Sequence, residues 1–377
     1  MGLGAVVRAV VDDYELPVRI SLRHYRPRGP KQELGPIVGW NNDRNFVHQP
    51  LKHFVMAKAK GLCYFARMHF EGSEKKIELI VQSAAFRQRP AEFWTALVET
   101  AGAKILSKIS NEACDAYLLS ESSLFVWDDR ITLITCGRTT LVRAALFLIE
   151  KIGVEAMDFF SYERKNEYFP RQQQTDFYKD VKLLQKSMKG SAFRFGSFDE
   201  HHLLLYHMDK PFKPKGMDCT LEVLMYNLQG AAKEIFNSGQ TIERVRQLTK
   251  LDQIFPGFEF DDHLFQPYGY SLNAIRGNEY YTLHVTPEDP VSYVSFETNI
   301  HLCDRMSETL SRVVEVFQPR SFDVIHFHPD QGIRVLEVAP FVRRNDVRQN
   351  LNCGYEVAFS TFFLSGTESA NALEINL

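Results

Sequence analysis

Three groups of reactive side chains interrupt an otherwise apolar sequence. The first is Tyr117-Leu-Leu-Ser-Glu-Ser-Ser-Leu-Phe-Val126, where Ser120 to Ser123 form a polar patch in the middle of a run that reads as a strand. Unpartnered hydroxyls and a carboxylate are costly in a packed sheet. The patch therefore marks a bulge, an exposed sheet edge, or a strained serine set up to react. The second is Thr135-Cys136-Gly137. A lone cysteine is usually a small buried hydrophobe, but a thiol also gives up a proton near neutral pH. The third is Tyr268-Gly-Tyr-Ser-Leu-Asn273 with His284-Val-Thr-Pro-Glu288 and Ser292-Tyr-Val-Ser-Phe-Glu297. Here a serine, a histidine and two acids recur across neighbouring strands, and imidazole is the commonest general base.

The elements that hold these groups can be read from periodicity. Lys76–Val81 alternates as a strand, and a helix opens at Pro90 with Phe93, Trp94, Leu97, Ala101 and Ile105 on one face. Ala116–Val126 and Arg130–Cys136 read as paired strands joined at Asp128-Asp129. Helices are expected at Thr139–Lys151, Gln172–Met188, Ile242–Leu251 and Met306–Phe317. Strands are expected near Phe159 and at Ala192–Phe195, His202–Tyr206, Leu221–Tyr226, Tyr281–Val285, Val291–Phe296, Phe322–Phe327, Arg334–Val338 and Tyr355–Phe362. Runs of strands punctuated by single helices favour an α+β domain with mainly antiparallel sheets. No Pro/Gly/Ser linker splits residues 70–365, and no internal repeat is visible in the sequence.

Composition narrows the function class. A net charge of −3, from 44 Lys and Arg against 47 Asp and Glu, argues against a phosphate-neutralising nucleic-acid binder. No apolar run approaches the ~18 residues of a membrane helix. The six cysteines show no C-x-x-C pair, which fits neither a zinc framework nor a disulfide scaffold and suits a reducing cytosol. His201-His202 and His326-x-His328 lack further ligands at recognisable spacing, so no metal is expected. Glycine-rich phosphate cradles and nucleophile-elbow motifs are absent. Residues 1–69 carry eleven Lys/Arg against five Asp/Glu and read as a flexible extension; residues 366–377 read as a tail.

Together with Phe70-Glu-Gly-Ser-Glu-Lys75, these segments follow in order and spacing the motifs of the eukaryotic S-adenosylmethionine decarboxylases, and the chain resembles that family from Phe70 to about Phe363. The resemblance implies a four-layer αββα sandwich built from two similar halves, with two mainly antiparallel central sheets. It implies that Ser122 attacks the carbonyl of Glu121, so that the chain is cut between them into a beta chain 1–121 and an alpha chain 122–377. Former Ser122 would become a pyruvoyl cofactor that forms a Schiff base with S-adenosylmethionine. His284 and Ser271 match the residues that move protons during this cleavage, Cys136 matches the proton donor of turnover, and Glu71 and Glu74 belong to the opening motif. Phe70 and Phe265 match the adenine-stacking aromatics, Glu288 the ribose carboxylate, and Leu119 and Glu121 the adenine-reading backbone. For the aromatics, core packing is the alternative.

The same resemblance assigns Glu78, Asp218, Thr220, Glu222, Glu297, Phe327 and Tyr355 to a site for putrescine, an activator of several members. Unpaired buried carboxylates would give a dication an obvious role there. Ile134, Ser161 and Val357 depart from the responsive pattern. The implied product, decarboxylated S-adenosylmethionine, supplies aminopropyl groups for spermidine and spermine. Homodimers occur in some members. The alternatives are a catalytically inactive paralogue that regulates a true decarboxylase, and an adenosine-binding module that never cuts itself.

Overall fold

The strand β3 (Lys75–Val81) shows how the sheets are built. Ile77, Leu79 and Val81 join one apolar cluster with helices, while Ile80 joins a second cluster on the opposite face. Such alternation follows from the two-residue period of a strand, and here both faces are covered. The computed structural model describes residues 70–366 apart from 83–84, 215–217, 237–238, 289–290, 303–304 and 330–336. It also describes a short ladder of β1 (Val10–Val11) with β2 (Tyr14–Glu15). That ladder belongs to a separate unit, Met1–Ala66, and the rest to Arg67–Leu377. The expected flexibility of residues 1–69 otherwise lies outside the described residues, as does the tail beyond Gly366.

The first sheet of the larger unit adds β4 (Ile105–Ser110), β5 (Asp115–Leu119), β6 (Ser122–Val126), β7 (Arg130–Thr135), β8 (Met157–Lys165), β9 (Gly190–Phe195) and β10 (Leu203–Met208), in the order β4-β5-β6-β7-β3-β8-β10-β9. The second holds β11 (Thr220–Leu228), β12 (Glu259–Leu264), β13 (Tyr270–Arg276), β14 (Glu279–Thr286), β15 (Tyr293–Thr298), β16 (Pro319–His328), β17 (Phe341–Asn350) and β18 (Glu356–Leu364), in the order β12-β13-β14-β15-β11-β16-β18-β17. Adding eight to each strand number converts one order into the other. Two copies of one topology thus make up the fold, a repeat the sequence does not display. Every pairing within the two sheets is antiparallel.

Helices α1 (Ala91–Ala101), α2 (Leu141–Ile152) and α3 (Phe177–Leu184) pack Trp94, Leu97, Leu148 and Val181 on the outer face of the first sheet. Helices α4 (Gly230–Glu234), α5 (Ile242–Thr249) and α6 (Met306–Phe317) cover the second with Ala232, Val245, Leu310 and Phe317. Each such buried side chain of Leu or Phe size contributes about 1.5–3 kcal/mol. Between the sheets, Ile80, Phe159, Leu205, Leu224, Ile325 and Phe359 form a third cluster. The result is the expected α+β sandwich of four layers.

Three expectations need correction. The helix after Pro90 stops at Ala101, where Gly102 takes φ 88° as C-cap, so Ile105 opens a strand. The strand expected over 116–126 is a hairpin, because Leu119 pairs with Ser122 and leaves Ser120-Glu121 as its loop. The strand expected at 334–338 falls largely outside the described residues, and the outermost strand is instead β17. Edge strands β12 and β17 face solvent and carry mostly polar residues, so their sequences lack the apolar alternation that reveals a strand.

Candidate active site

A cleft of about 240 Å³ brings together Phe70, Glu121, Ser122, Cys136, Phe265, Ser271, His284 and Glu288. These side chains come from both halves of the repeat. The β5–β6 hairpin and the end of β7 supply the serine and the thiol. Strands β13 and β14, paired with Ser271 opposite His284, supply the candidate base. Leu119 does not line this cleft; it is fully buried in the hairpin beneath.

Ser122 is the strained point. It has φ 130°, a backbone conformation that L side chains rarely adopt, and it is buried rather than exposed as the sequence suggested. Its Oγ has no oxygen or nitrogen partner and lies beside the Cys136 thiol. A residue held in this region of the backbone map costs roughly 1–3 kcal/mol. One residue earlier, the Glu121 carbonyl oxygen accepts the Cys136 N–H at 2.9 Å and faces Cys136 Sγ at 3.5 Å. The carbonyl beside the unpartnered hydroxyl is therefore polarised by a donor that could also stabilise an oxyanion.

The loop after β7 needs its glycine. Gly137 has φ 63°, and a Cβ there would meet Glu121 Oε2 at 2.5 Å and the Phe70 ring at 3.0 Å. Its carbonyl accepts from Lys75 Nζ and from Gln173 Nε2, each at 3.2 Å. Burial pushes the Glu121 carboxyl up to about 7, with Lys75 opposing the shift. Burial also pushes Lys75 down to about 8. The Cys136 thiol is raised well above its ordinary value, first by burial and then by the charges of Glu121 and Glu74, so it stays protonated at neutral pH.

His284 is fixed from one side by Glu74. Its Nδ1 lies 2.7 Å from Glu74 Oε1, and the same oxygen accepts Ser295 Oγ at 2.6 Å. Glu71 is elsewhere: its carboxylate accepts the backbone N–H of Ser73 at 3.2 Å and of Phe169 at 2.6 Å. At the mouth, the Phe70 N–H lies 3.3 Å from Glu288 Oε2.

The residues assigned to putrescine lie apart from the cleft, between the sheets, and their carboxylates are not unpaired as expected. Lys76 Nζ sits 2.9 Å from Glu222 and 3.0 Å from Glu297. Lys165 Nζ lies 2.5 Å from both Glu163 and Glu222. Arg130 reaches Asp218 at 2.5 Å and Glu78 at 3.6 Å, and Tyr355 donates to Asp218 at 2.7 Å. Thr220 is buried opposite Phe327, whose ring lies 6.0 Å from Lys76 Nζ. Burial pushes Glu297 up to about 8 against the pull of Lys76. Sequence reading missed these three cations. The signal was present in β3 and β8, where Lys76 and Lys165 occupy strand positions that packing reserves for apolar groups.

Comparison with known proteins adds a family. The sequence model described as adenosylmethionine decarboxylase matches residues 67–363. The chain is 35% identical over 286 residues to the S-adenosylmethionine decarboxylase proenzyme of Trypanosoma cruzi, which covers 70% of this chain and 77% of that protein. It is 34% identical to the proenzyme of Xenopus laevis over 67% of this chain and 81% of that protein. Its fold is similar to the crystal structure of the Trypanosoma brucei AdoMetDC-delta26 monomer, with TM-score 0.51 and 25% identity, over 64% of this chain and 99% of that one.

Proposed function

This chain belongs to the adenosylmethionine decarboxylase family, and from that premise we propose that it cuts itself at Glu121-Ser122 and uses the resulting pyruvoyl group to decarboxylate S-adenosylmethionine. The observation that carries the reading is the hairpin itself: a strained serine with a free hydroxyl beside a carbonyl held by the Cys136 N–H. In the first step the Ser122 Oγ–C bond to Glu121 forms, the Glu121 C–N bond breaks, and the hydroxyl proton ends on the freed nitrogen. Loss of the Ser122 Cα proton then lets the Cβ–Oγ bond break. The Glu121 carboxylate departs as the end of the first fragment. The remaining unsaturated residue isomerises to an imine, which takes up water, releases ammonia and leaves a keto end.

The residues around the hairpin fit such a group, because Ser122 is buried, unpartnered and next to a protonated thiol. Once formed, a keto group conjugated to an amide supplies an electron sink for the carbanion left by CO₂. The chain's own residues do the rest. Cys136 holds at Sγ the proton that the substrate carbon needs afterwards. Phe70 and Phe265 flank the cleft as two faces for a flat adenine, and stacking contributes about 0.5–1.5 kcal/mol per ring beyond burial. The Glu288 carboxylate at the mouth can accept both hydroxyls of a ribose. The product is the aminopropyl donor of polyamine synthesis.

The inter-sheet cluster works, on this reading, without a diamine. Lys76, Lys165 and Arg130 already stand against the acids that a dication would neutralise. A regulatory role without catalysis is not favoured, since serine, thiol and base all meet in one cleft. Release of labelled CO₂ from carboxyl-labelled S-adenosylmethionine tests the activity. The parent chain should release it and the Ser122→Ala chain should not; equal release from both would refute the reading.

A further inference from the structure

His284 does not face Ser122 with its second nitrogen. Nε2 lies 2.8 Å from Oγ of Ser123, the residue after the cleavage point. Ser123 Oγ in turn lies 2.5 Å from the Asn273 side-chain amide and 3.3 Å from Thr282 Oγ1. Thr282 Oγ1 is 2.9 Å from the same amide, 3.2 Å from Nε2 and 3.0 Å from the Leu272 carbonyl. All of these side chains are buried, Ser123 and Asn273 completely.

Counting protons fixes the roles. With the Asn273 oxygen toward the two hydroxyls, its NH₂ is buried without a partner. Amide oxygen and nitrogen are distinguished by such networks rather than by shape. Turned over, the amide satisfies both its N–H groups by donating to Ser123 and Thr282 and leaves only its oxygen unpartnered, at the cost of a 2.5 Å contact to Ser123 that is short for an N–H···O bond. The Thr282 hydroxyl then donates to the Leu272 carbonyl. The one Ser123 proton is left for His284 Nε2. The imidazole must then carry its own proton on Nδ1, where the Glu74 carboxylate, braced by Ser295, accepts it. Each donor is used once, and the order hydroxyl, imidazole, carboxylate matches that by which enzymes set a base.

We propose that Ser123, held by Asn273, is a positioning residue for self-cleavage: its hydroxyl caps the His284 Nε2 lone pair and so fixes the tautomer and ring angle, and Nε2 exchanges that hydrogen bond for the Ser122 Cα proton when the base acts. This inference rests on the cleavage reading above. It places Ser123 in the second step, since the first needs only the Ser122 hydroxyl and the polarised Glu121 carbonyl. When Nε2 takes the Cα proton, the C–H electron pair becomes the Cα=Cβ bond and the Glu121 carboxylate leaves Cβ.

The test compares the parent chain with Ser123→Ala and Ser123→Thr, following cleavage after synthesis by denaturing electrophoresis with and without hydroxylamine, which opens esters. Ser123→Ala should slow cleavage roughly 10–100-fold, the scale of losing a positioned group. It should also build up a species that hydroxylamine splits, and Ser123→Thr should restore the rate. Parental cleavage by Ser123→Ala, or slowing without a hydroxylamine-sensitive species, would overturn the proposal. A parent chain that never cuts itself would instead sink the reading beneath it. A second measurement needs no cleavage. In the full Ser122→Ala chain, nitrogen NMR of His284 should show the proton on Nδ1 of a neutral ring, and added Ser123→Ala should mix the tautomers. A neutral ring protonated on Nε2, or an imidazolium, contradicts the assignment.

Discussion

The hairpins β5–β6 and β13–β14 occupy equivalent places in the two halves, each with a two-residue loop, yet they carry their backbone strain differently. In β13–β14, Arg276 pairs with Glu279 and Gly277 takes the positive φ of 55°. Glycine adopts that conformation without steric cost. In β5–β6 the loop Ser120-Glu121 has no glycine, and the positive φ of 130° falls on Ser122. One copy of the turn is relaxed, and its hairpin carries a histidine on β14, well away from the turn. Its counterpart is strained at Ser122, beside the bond proposed for self-cleavage. Duplicated topology brings the proposed nucleophile and base into one cleft from strands that need not be strained together.

The comparison can be broken at several points. The largest effect is expected from Cys136→Ala. This substitution keeps the backbone N–H that holds the Glu121 carbonyl, so cleavage should persist. The thiol proton is lost, so the carbanion should be protonated at the wrong carbon, and amine analysis should show little correct product. Unchanged product would remove Cys136 from turnover.

Next comes Lys76→Met, which strips one cation from a buried cluster. Breaking such a pair costs about 3–5 kcal/mol, readable in urea unfolding. Activity of the parent chain should be flat across millimolar putrescine, whereas the Lys76→Met chain should gain activity or stability from it. A rise in the parent would show that the internal cations leave room for the diamine.

Backbone strain itself gives smaller and opposite shifts. Ser122→Gly should be more stable than Ser122→Ala by roughly 1–3 kcal/mol, because glycine tolerates φ 130°. Gly277→Ala should lose about 1–2 kcal/mol through its positive φ, since a Cβ there would meet only Glu112 Oε1, at an ordinary 3.7 Å. Equal stability of the two Ser122 variants would mean that the hairpin is not strained.

A further effect concerns pH. Glu121 is pushed up from 4.5 to about 7 by burial. A raised acid gives stability that is fully present below its unfolded value and is lost as pH rises through the folded one. In the uncleavable Ser122→Ala chain, stability should therefore fall between about pH 4.5 and 7, and Glu121→Gln should flatten that part of the profile. An identical slope in both chains would contradict the burial of this carboxyl.

Much of the cleft was legible in sequence, because Ser122, Cys136, Ser271 and His284 are polar groups in apolar strands and their order along the chain matches a family. The hairpin was not, since Leu118-Leu119 and Leu124-Phe125 flank the patch and hide a turn that lacks glycine or proline. Nor was the Ser123–His284 contact, which joins residues 161 positions apart. The twofold repeat was implied by the resemblance alone and leaves no trace in the residues, because packing needs only apolar alternation, which many sequences satisfy. The neutralised acidic cluster escaped for another reason: a lysine reads as a surface residue until its partners across the sheets are known.

The most direct test is the mass of the purified chain under denaturing conditions. Self-cleavage predicts two fragments of 121 and 256 residues, the larger with a blocked keto N-terminus. A single intact 43.5 kDa species with an ordinary N-terminus would contradict the account.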